Sequence, residues 1–216
     1  MATPTLFIQT ATITTSLVSA GGIASLSLFD IPELRSQPAS RSLPGIRWLF
    51  SRGSHIFPTT SFLAAAGFTY LAISVHPGSA SQILRLAANS QKVNLYLAAA
   101  AINAGNFFWT PLAMIPTNFA LIELNEKIGG TRSARAASEK SYGPGDRDAA
   151  ASVSSKGDST SEFKDLTGPQ TQSDRKSTPE EDKKADELLA KFGALNAVRS
   201  LFPGVGGVIG LVAALI

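Results

Sequence analysis

The chain has 216 residues, of which 44% are hydrophobic and only 16% charged, and 19 Lys and Arg against 16 Asp and Glu give a net charge of +3. This composition is too apolar for an ordinary soluble domain. The absence of cysteine excludes disulfides, thiolate nucleophiles and cysteine-type metal sites. With only two histidines and no basic stripe interleaved with aromatic residues, we expect no cofactor, no metal and no nucleic-acid partner.

The first predicted element covers residues 6–29, which carry no charged side chain. A helix of this length can cross a bilayer. No Lys or Arg precedes Arg35, so the positively charged start of a cleavable signal peptide is missing. We predict a retained transmembrane helix, with cleavage near Ser19 and Ala20 as the alternative.

A polar connection over residues 30–55 precedes the second predicted span, residues 56–75. Ile46, Leu49 and Phe50 share a helical face beside Trp48, which predicts a short helix at the membrane interface. His76, Pro77 and Gly78 end the second span. A short connection over residues 79–92 carries Arg85 and Lys92.

The third predicted span, residues 93–122, carries no charged side chain. At about 100° per residue, its polar side chains fall within an arc of roughly 60°. They are Asn103, Asn106, Thr110 and Thr117. Amides in lipid need partners, so this arc should face protein or a cavity, either as hydrogen-bonding contacts between helices or as the lining of a site. Pro111 and Pro116 should bend or break the helix near its end.

The last third of the chain changes composition abruptly. Residues 129–179 are rich in Ser, Thr, Gly, Asp and Lys and contain a single phenylalanine, so we expect this segment to be disordered. A capping box at Thr178–Glu181 then begins a helix whose apolar side should lie on the membrane. A fourth span follows from Leu195, with Arg199 in its first turns. Gly206 and Gly210 form a G-x-x-x-G pattern that permits close helix packing.

The predicted fold is an all-α, integral membrane four-helix bundle. Its organisation is three transmembrane helices with their loops over residues 1–128, a disordered insertion over 129–179, and an amphipathic surface helix plus the fourth span over 180–216. Lys and Arg concentrate in residues 30–55 and 123–199. By the positive-inside rule these loops are cytoplasmic and both termini lumenal or exoplasmic, in the endoplasmic reticulum or another endomembrane.

This topology brings unusual polar and aromatic residues to one rim of the bundle. His55 stands at the start of the second helix, Thr117 and Asn118 near the end of the third, and Arg199 at the start of the fourth. The first connection adds Arg47, Trp48 and Arg52. The alternative interpretation is that the arginines and Trp48 are interfacial anchors and that His55 is a solvated interfacial histidine.

Several short motifs resemble a known family. They are Arg47-Trp48, Arg52-Gly53 and Phe57-Pro58 before the second span, Trp109-Thr110-Pro111 and Met114-Ile115-Pro116-Thr117-Asn118 in the third, and Arg199-Ser200-Leu201-Phe202-Pro203 before the fourth. Together they resemble the DUF1772 or anthrone oxygenase-like group of fungal membrane proteins. Residues 129–179 look like an insertion into that pattern. The resemblance implies a small membrane protein, and some members oxidise anthrones to anthraquinones in polyketide secondary metabolism.

For such a substrate the resemblance implies a cofactor-independent reaction, in which the protein deprotonates the anthrone, holds its enolate and admits dioxygen. His55 is the candidate base, because an imidazole titrates near neutral pH. With Asn118 and Arg52 it forms the predicted catalytic set. The predicted substrate-binding residues offer cations, hydrogen bonds and flat rings to a planar aromatic polyketide. They are Arg47, Trp48, Tyr70, Asn106, Trp109, Thr117 and Arg199.

Two other functions remain open on the sequence. A non-catalytic tetraspan scaffold would need no convergent site. A transporter would need a water-accessible path and a homo-oligomer, and the spans carry neither an obvious intramembrane charge relay nor an inverted repeat. The expected partners are therefore the lipid bilayer, a planar aromatic substrate with dioxygen, and further copies of the chain if it oligomerises.

Overall fold

The computed structural model describes residues 3–75 and 90–216, which fold into α-helices, turns and two π-helical turns. The α-helices are α1 (Thr3–Ser25), α2 (Ile31–Arg35), α3 (Ala39–Ser74), α4 (Gln91–Trp109), α5 (Ile115–Lys127), α6 (Ala134–Glu139), α7 (Ala149–Val153) and α8 (Pro179–Leu215). The predicted helix end at His76-Pro77-Gly78 and most of the 79–92 connection, including Arg85, lie outside the described residues.

Within residues 3–75 and 90–216, four helical stretches are long and apolar enough to cross a membrane, which confirms the predicted all-α, four-span fold. They are Pro4–Arg35, Ala39–Ser74, Gln91–Lys127 and Pro179–Leu215. Large apolar side chains such as Phe7, Phe62 and Phe108 point outwards with more than half of their surface exposed. Because such exposure is costly in water, these faces are suited to lipid.

Two helices are longer than the sequence predicted. The stretch around Trp48, expected as a separate interfacial helix, is the first part of α3 and continues into the second span. Pro44 removes a backbone donor within α3. The carbonyl oxygen of Ser40, four residues earlier, accepts a hydrogen bond from the Ser173 backbone N–H at 2.8 Å, which supplies a partner from another part of the chain.

The second long helix is α8, where the sequence predicted a surface helix followed by a separate span. In the structure, residues 179–215 form one helix, and the apolar side of its first half is buried against protein rather than laid on a membrane. Leu189 and Phe192 are almost fully buried. The Phe192 ring packs edge-on against Phe50 of α3, with centroids 5.0 Å apart.

The third span leaves α-helical geometry where the sequence predicted it would. Helix α4 ends at Trp109, the stretch Thr110–Met114 forms a π-helical turn, and α5 begins at Ile115. Pro111 lacks a backbone N–H and Pro116 lies in the first turn of α5, where a missing donor does least harm. A similar π-helical turn, Leu26–Asp30, follows α1.

The chain divides into two compact units. Unit 1 comprises Met1–Ala24, Phe57–Thr110 and Ala197–Ile216, and unit 2 comprises Ser25–Ile56 and Pro111–Asn196. The helical parts within unit 1 are each about 27–33 Å long at 1.5 Å per residue, close to the hydrocarbon thickness of a bilayer. Unit 1 contains only three charged residues, Arg85, Lys92 and Arg199.

Small residues allow the four helices of unit 1 to pack closely. A Cβ atom added to Gly207 of α8 would come within 2.7 Å of Leu17 in α1. One added to Gly210 would overlap the ring of Phe68 in α3, and one added to Gly206 would overlap the amide of Asn103 in α4. The predicted role of the Gly206 and Gly210 pattern in close packing is therefore confirmed.

Unit 2 contains the segment that the sequence predicted to be disordered, and here the structure differs. Residues 129–179 form α6, α7 and a series of turns that bury Arg132, Arg147 and Asp165. Disorder was predicted because the segment has little apolar surface to bury. In the structure ion pairs and hydrogen-bonded helix caps provide the contacts instead, as where the Ser133 hydroxyl accepts from the Ala136 N–H at 3.0 Å.

Candidate functional site

The buried amides of the third span join helices within unit 1. Asn103 is fully buried, accepts a hydrogen bond from the Ser16 hydroxyl of α1 at 3.0 Å, and donates to the Ala99 carbonyl. Asn106 donates to the Ser61 hydroxyl of α3 at 3.0 Å, while its buried Oδ1 has no hydrogen-bond partner among the described residues. The polar arc therefore faces protein, as predicted. Asn103 acts as an interhelical contact, and Asn106 keeps one acceptor available.

Arg199 lies beside an aromatic ring in unit 1. The guanidinium carbon of Arg199 lies 5.5 Å from the centroid of the Phe57 ring. Within the described part of the chain, the buried Arg199 Nε has no hydrogen-bond partner. Phe57 is one turn before Ser61, the partner of Asn106. The ring centroids of Trp109 and Phe202 lie 6.0 Å apart. Asn106 and Trp109 lie one turn apart on α4, and Arg199 lies on α8 one turn before Phe202, the ring partner of Trp109.

Tyr70, also in unit 1, is the predicted stacking residue that the structure leaves most exposed. Its side chain lies on α3 three turns beyond Phe57, with 44% of its surface accessible. An exposed ring in a span faces the surroundings of the unit. Its predicted part in substrate stacking therefore gains no support from its position.

A second group of predicted residues lies in unit 2 on a single face of α3. Trp48, Arg52 and His55 follow one another at spacings of four and three residues, so their side chains share one side of the helix. The guanidinium carbon of Arg52 lies 5.3 Å from the centroid of the Trp48 ring, in a cation–π contact. All three side chains are partly exposed. We call Trp48, Arg52 and His55 the α3 face.

Residues 162–167 lie across the α3 face. The Trp48 indole N–H and the Arg52 guanidinium both donate to the carbonyl oxygen of Thr167, each at 2.9 Å. The ring centroid of Phe163 lies 3.7 Å from that of His55, with the planes 30° apart. Glu162 Oε1 lies 3.9 Å from His55 Nε2. Sequence reasoning missed Glu162, Phe163 and Thr167, because they belong to the stretch expected to be disordered.

Arg47 points away from the α3 face into the interior of unit 2. Its guanidinium donates to the hydroxyl and carbonyl oxygens of Ser152 and approaches Glu162 Oε2 at 3.8 Å. With 2% of its surface exposed, Arg47 is held by the fold and is not open to a ligand. Its predicted substrate contact is therefore the least supported among the residues of α3.

Buried charges form the interior that holds Arg47. Arg147 makes a two-pronged ion pair with Glu126, both contacts at 2.9 Å, and a further bond to Asp158. Arg132 pairs with Asp158 and lies near Asp165. The Ser152 hydroxyl donates to Glu126 at 2.6 Å. We call Glu126, Arg132, Arg147, Asp158 and Asp165 the ionic core.

Tyr142 and Asp165 have shifted pKa values in this interior. Burial raises the pKa of the Tyr142 phenol above its usual range; the charge of Arg147 opposes this rise, and the Asp158 and Glu126 carboxylates add to it. Burial alone would raise the pKa of Asp165. Hydrogen bonds from Ser133 and Thr167, together with the charge of Arg132, nevertheless leave that pKa below its usual value. Asp165 is thus held ionised inside the unit.

Helix α5 contributes the last two predicted residues. Thr117 is 2% exposed, and its hydroxyl has no hydrogen-bond partner in the described residues. The Oδ1 atom of Asn118 is likewise buried and without a partner. Unpaired buried acceptors of this kind are uncommon in proteins and leave both residues able to bind a ligand or water. Among the described residues, no group of three His, Asp or Glu side chains has the arrangement of a metal site.

One comparison with known proteins gives a result. A family model described as anthrone oxygenase matches residues 47–209, about three quarters of the chain. The matched range contains every predicted site residue and both the α3 face and the ionic core. No curated protein and no solved structure matches the chain significantly.

Proposed function

Because this chain belongs to the anthrone oxygenase family, we propose that it oxidises an anthrone to the corresponding anthraquinone with dioxygen in a membrane. The observation that carries the proposal is the α3 face, where an imidazole, a guanidinium and an indole share one partly exposed side of a helix. These three groups supply a base, a cation and a flat surface. An acidic aromatic ketone requires all three.

The reaction starts with removal of a proton from the anthrone methylene by His55. The resulting carbanion is delocalised over two aryl rings and onto the ketone oxygen, where Arg52 stabilises the negative charge. Trp48 provides a stacking surface for the ring system. On α5, Thr117 and Asn118 have unpaired oxygens that can accept hydrogen bonds from the phenol hydroxyls of such a substrate.

Dioxygen then adds to the carbanion, and the protonated imidazole returns its proton to give a hydroperoxide. Loss of the remaining hydrogen on that carbon breaks the O–O bond and forms the new carbonyl. One oxygen atom of O₂ stays in the quinone, and the other leaves with both methylene hydrogens as water. The substrate is oxidised and dioxygen is reduced, so the balance needs no other reductant or oxidant.

Membranes containing the protein provide the test. Incubated aerobically with emodin anthrone, they should consume oxygen and form quinone faster than empty membranes. His55→Ala should lower the enzyme-dependent rate by about 100-fold or more, the usual contribution of a general base. His76→Ala is the matched control, because His76 is the only other histidine of the chain. Quinone at the spontaneous rate, with folded protein present, would instead favour the non-catalytic tetraspan function.

We also propose that unit 2 faces the cytoplasm. The loops predicted to be cytoplasmic, residues 30–55 and 123–199, belong to unit 2 except for the last three residues of the second loop. Because the natural chain has no cysteine, single cysteines can report this orientation. In intact microsomes a membrane-impermeant maleimide should label Leu166→Cys, at a side chain that is 85% exposed, and should label Gln91→Cys only after detergent is added. The reverse pattern would invert the topology.

A further inference from the structure

The stretch 162–167 contacts every member of the α3 face. Thr167 accepts hydrogen bonds from Trp48 and Arg52, Phe163 lies against His55, and Glu162 faces the imidazole. A stretch that served only to link α7 and α8 would not need to engage these three side chains. We call residues 162–167 the strap.

We propose that the strap is part of the reaction site, with Glu162 as the positioning residue for His55 and Phe163 as an aromatic wall for the planar substrate. This inference rests on the proposed function. It assigns to the site two residues that the sequence placed in a disordered insertion.

Glu162 is suited to orient an imidazole. It is 9% exposed, so solvent screens its charge only weakly. One carboxylate oxygen lies 3.8 Å from Arg47, which is itself fixed by two contacts to Ser152, and the other lies 3.9 Å from His55 Nε2. Arg47 therefore holds one carboxylate oxygen while the other faces His55. A negative charge fixed on the Nε2 side of the ring attracts the positive charge that His55 gains when it takes a proton from the substrate, and so orients the ring.

Phe163 is suited to contact a flat ligand. Its ring covers one side of the His55 imidazole, yet 73% of its surface remains exposed. Leu166, three residues later, is 85% exposed. Phe163 and Leu166 make the strap side of this surface apolar. His55 and the Arg52–Trp48 pair make its helix side polar. A planar aromatic ketone with ionisable oxygens has the same division.

Two measurements test the assignment together. The first is steady-state quinone formation by Glu162→Gln, which keeps the size of the side chain and removes its charge. We expect kcat to fall about tenfold or more with KM within a factor of two, because the carboxylate acts on the base and not on substrate binding. Phe163→Leu should raise KM severalfold, and Phe163→Tyr should restore it. Glu139→Gln, in the same segment but paired with exposed Arg135, is the matched control.

The second measurement does not depend on turnover. Selective ¹⁵N labelling of histidine gives signals from only two imidazoles, and His55→Ala identifies one of them. In the full chain in detergent micelles, Glu162→Gln should move the His55 ring resonances and leave those of His76 in place, while Glu139→Gln should move neither.

The outcomes separate this inference from the proposed function. Wild-type turnover combined with an unchanged kcat or an unchanged His55 spectrum in Glu162→Gln would overturn the positioning role and leave the oxygenase reaction standing. A moved His55 spectrum in a protein without turnover would support the Glu162 contact and reject the reaction. Loss of kcat together with moved His55 resonances is the result we expect.

Discussion

Units 1 and 2 are stabilised by different interactions. Unit 1 contains no Asp or Glu in its sequence and packs through an apolar cluster of alanines and larger side chains such as Phe68, with close contacts at glycines and a few buried amides. Unit 2 buries three arginines, Arg47, Arg132 and Arg147, among carboxylates, and its interior is charged. In lipid there is no hydrophobic gain when helices associate, so close approach and hydrogen bonds must hold the spans together. Charged groups can be buried in unit 2 because each finds partners there.

The largest effect should come from breaking the ionic core. Arg132→Met removes a guanidinium that pairs with Asp158 and leaves that carboxylate buried with one arginine fewer. We expect unit 2 to lose about 3–5 kcal/mol of stability, the usual cost of removing one partner from a buried ion pair. Unfolding is followed by Trp48 fluorescence in a Trp109→Phe background, because Trp48 is the only tryptophan of unit 2.

Arg135→Ala is the control for this substitution. Arg135 lies three residues further on, in an exposed pair with Glu139. A pair of this kind contributes less than about 1 kcal/mol. Equal losses for Arg132→Met and Arg135→Ala would show that the interior of unit 2 does not depend on its buried charges.

An intermediate effect is expected from adding a methyl group where the helices of unit 1 pack closely. A Cβ atom at Gly210 would overlap the Phe68 ring, which is fully buried. Gly210→Ala should therefore cost about 1–3 kcal/mol, as overpacking does. The readout is Trp109 fluorescence in a Trp48→Phe background. Gly21→Ala, where an added Cβ meets nothing within 4 Å, should be neutral or slightly stabilising.

The smallest effect is a difference in acid sensitivity between the units. The folded-state pKa of Asp165 is below its usual value, so its contribution to stability is present above the unfolded pKa and is lost as the pH falls through the folded one. Unit 2 should therefore begin to lose stability below about pH 4. Unit 1 has no carboxylate side chain to protonate. In acid titrations, the unfolding transitions reported by Trp48 and by Trp109 should therefore have different midpoints. A common midpoint would contradict this assignment.

Residues whose environment is set by nearby sequence were predicted well. The four apolar runs marked the spans, Pro111 and Pro116 marked the departure from α-helix, and Gly206 with Gly210 marked the close packing of α8. Each is a local property, since a helix of about 20 apolar residues spans a bilayer whatever surrounds it. The face shared by Trp48, Arg52 and His55 follows from helical spacing once α3 is known.

Contacts between distant parts of the chain could not be predicted in the same way. Composition alone predicted that residues 129–179 would be disordered, because they contain too little apolar surface to offset the entropy of ordering. Composition does not show which carboxylate pairs with an arginine elsewhere in the chain, as Glu126 pairs with Arg147 and Glu162 lies near Arg47. For the same reason, the sequence did not predict that Glu162 and Phe163 lie beside His55.

The sequence by itself determined that this protein is helical and carries four spans, because hydropathy and helical period act over short distances. Only the tertiary structure decided which polar groups pair. It placed Arg47 inside unit 2, joined Asn103 to Ser16, and laid the strap across the α3 face. An ion pair or a ring contact depends on positions in space, and those positions are fixed only when the whole chain has folded.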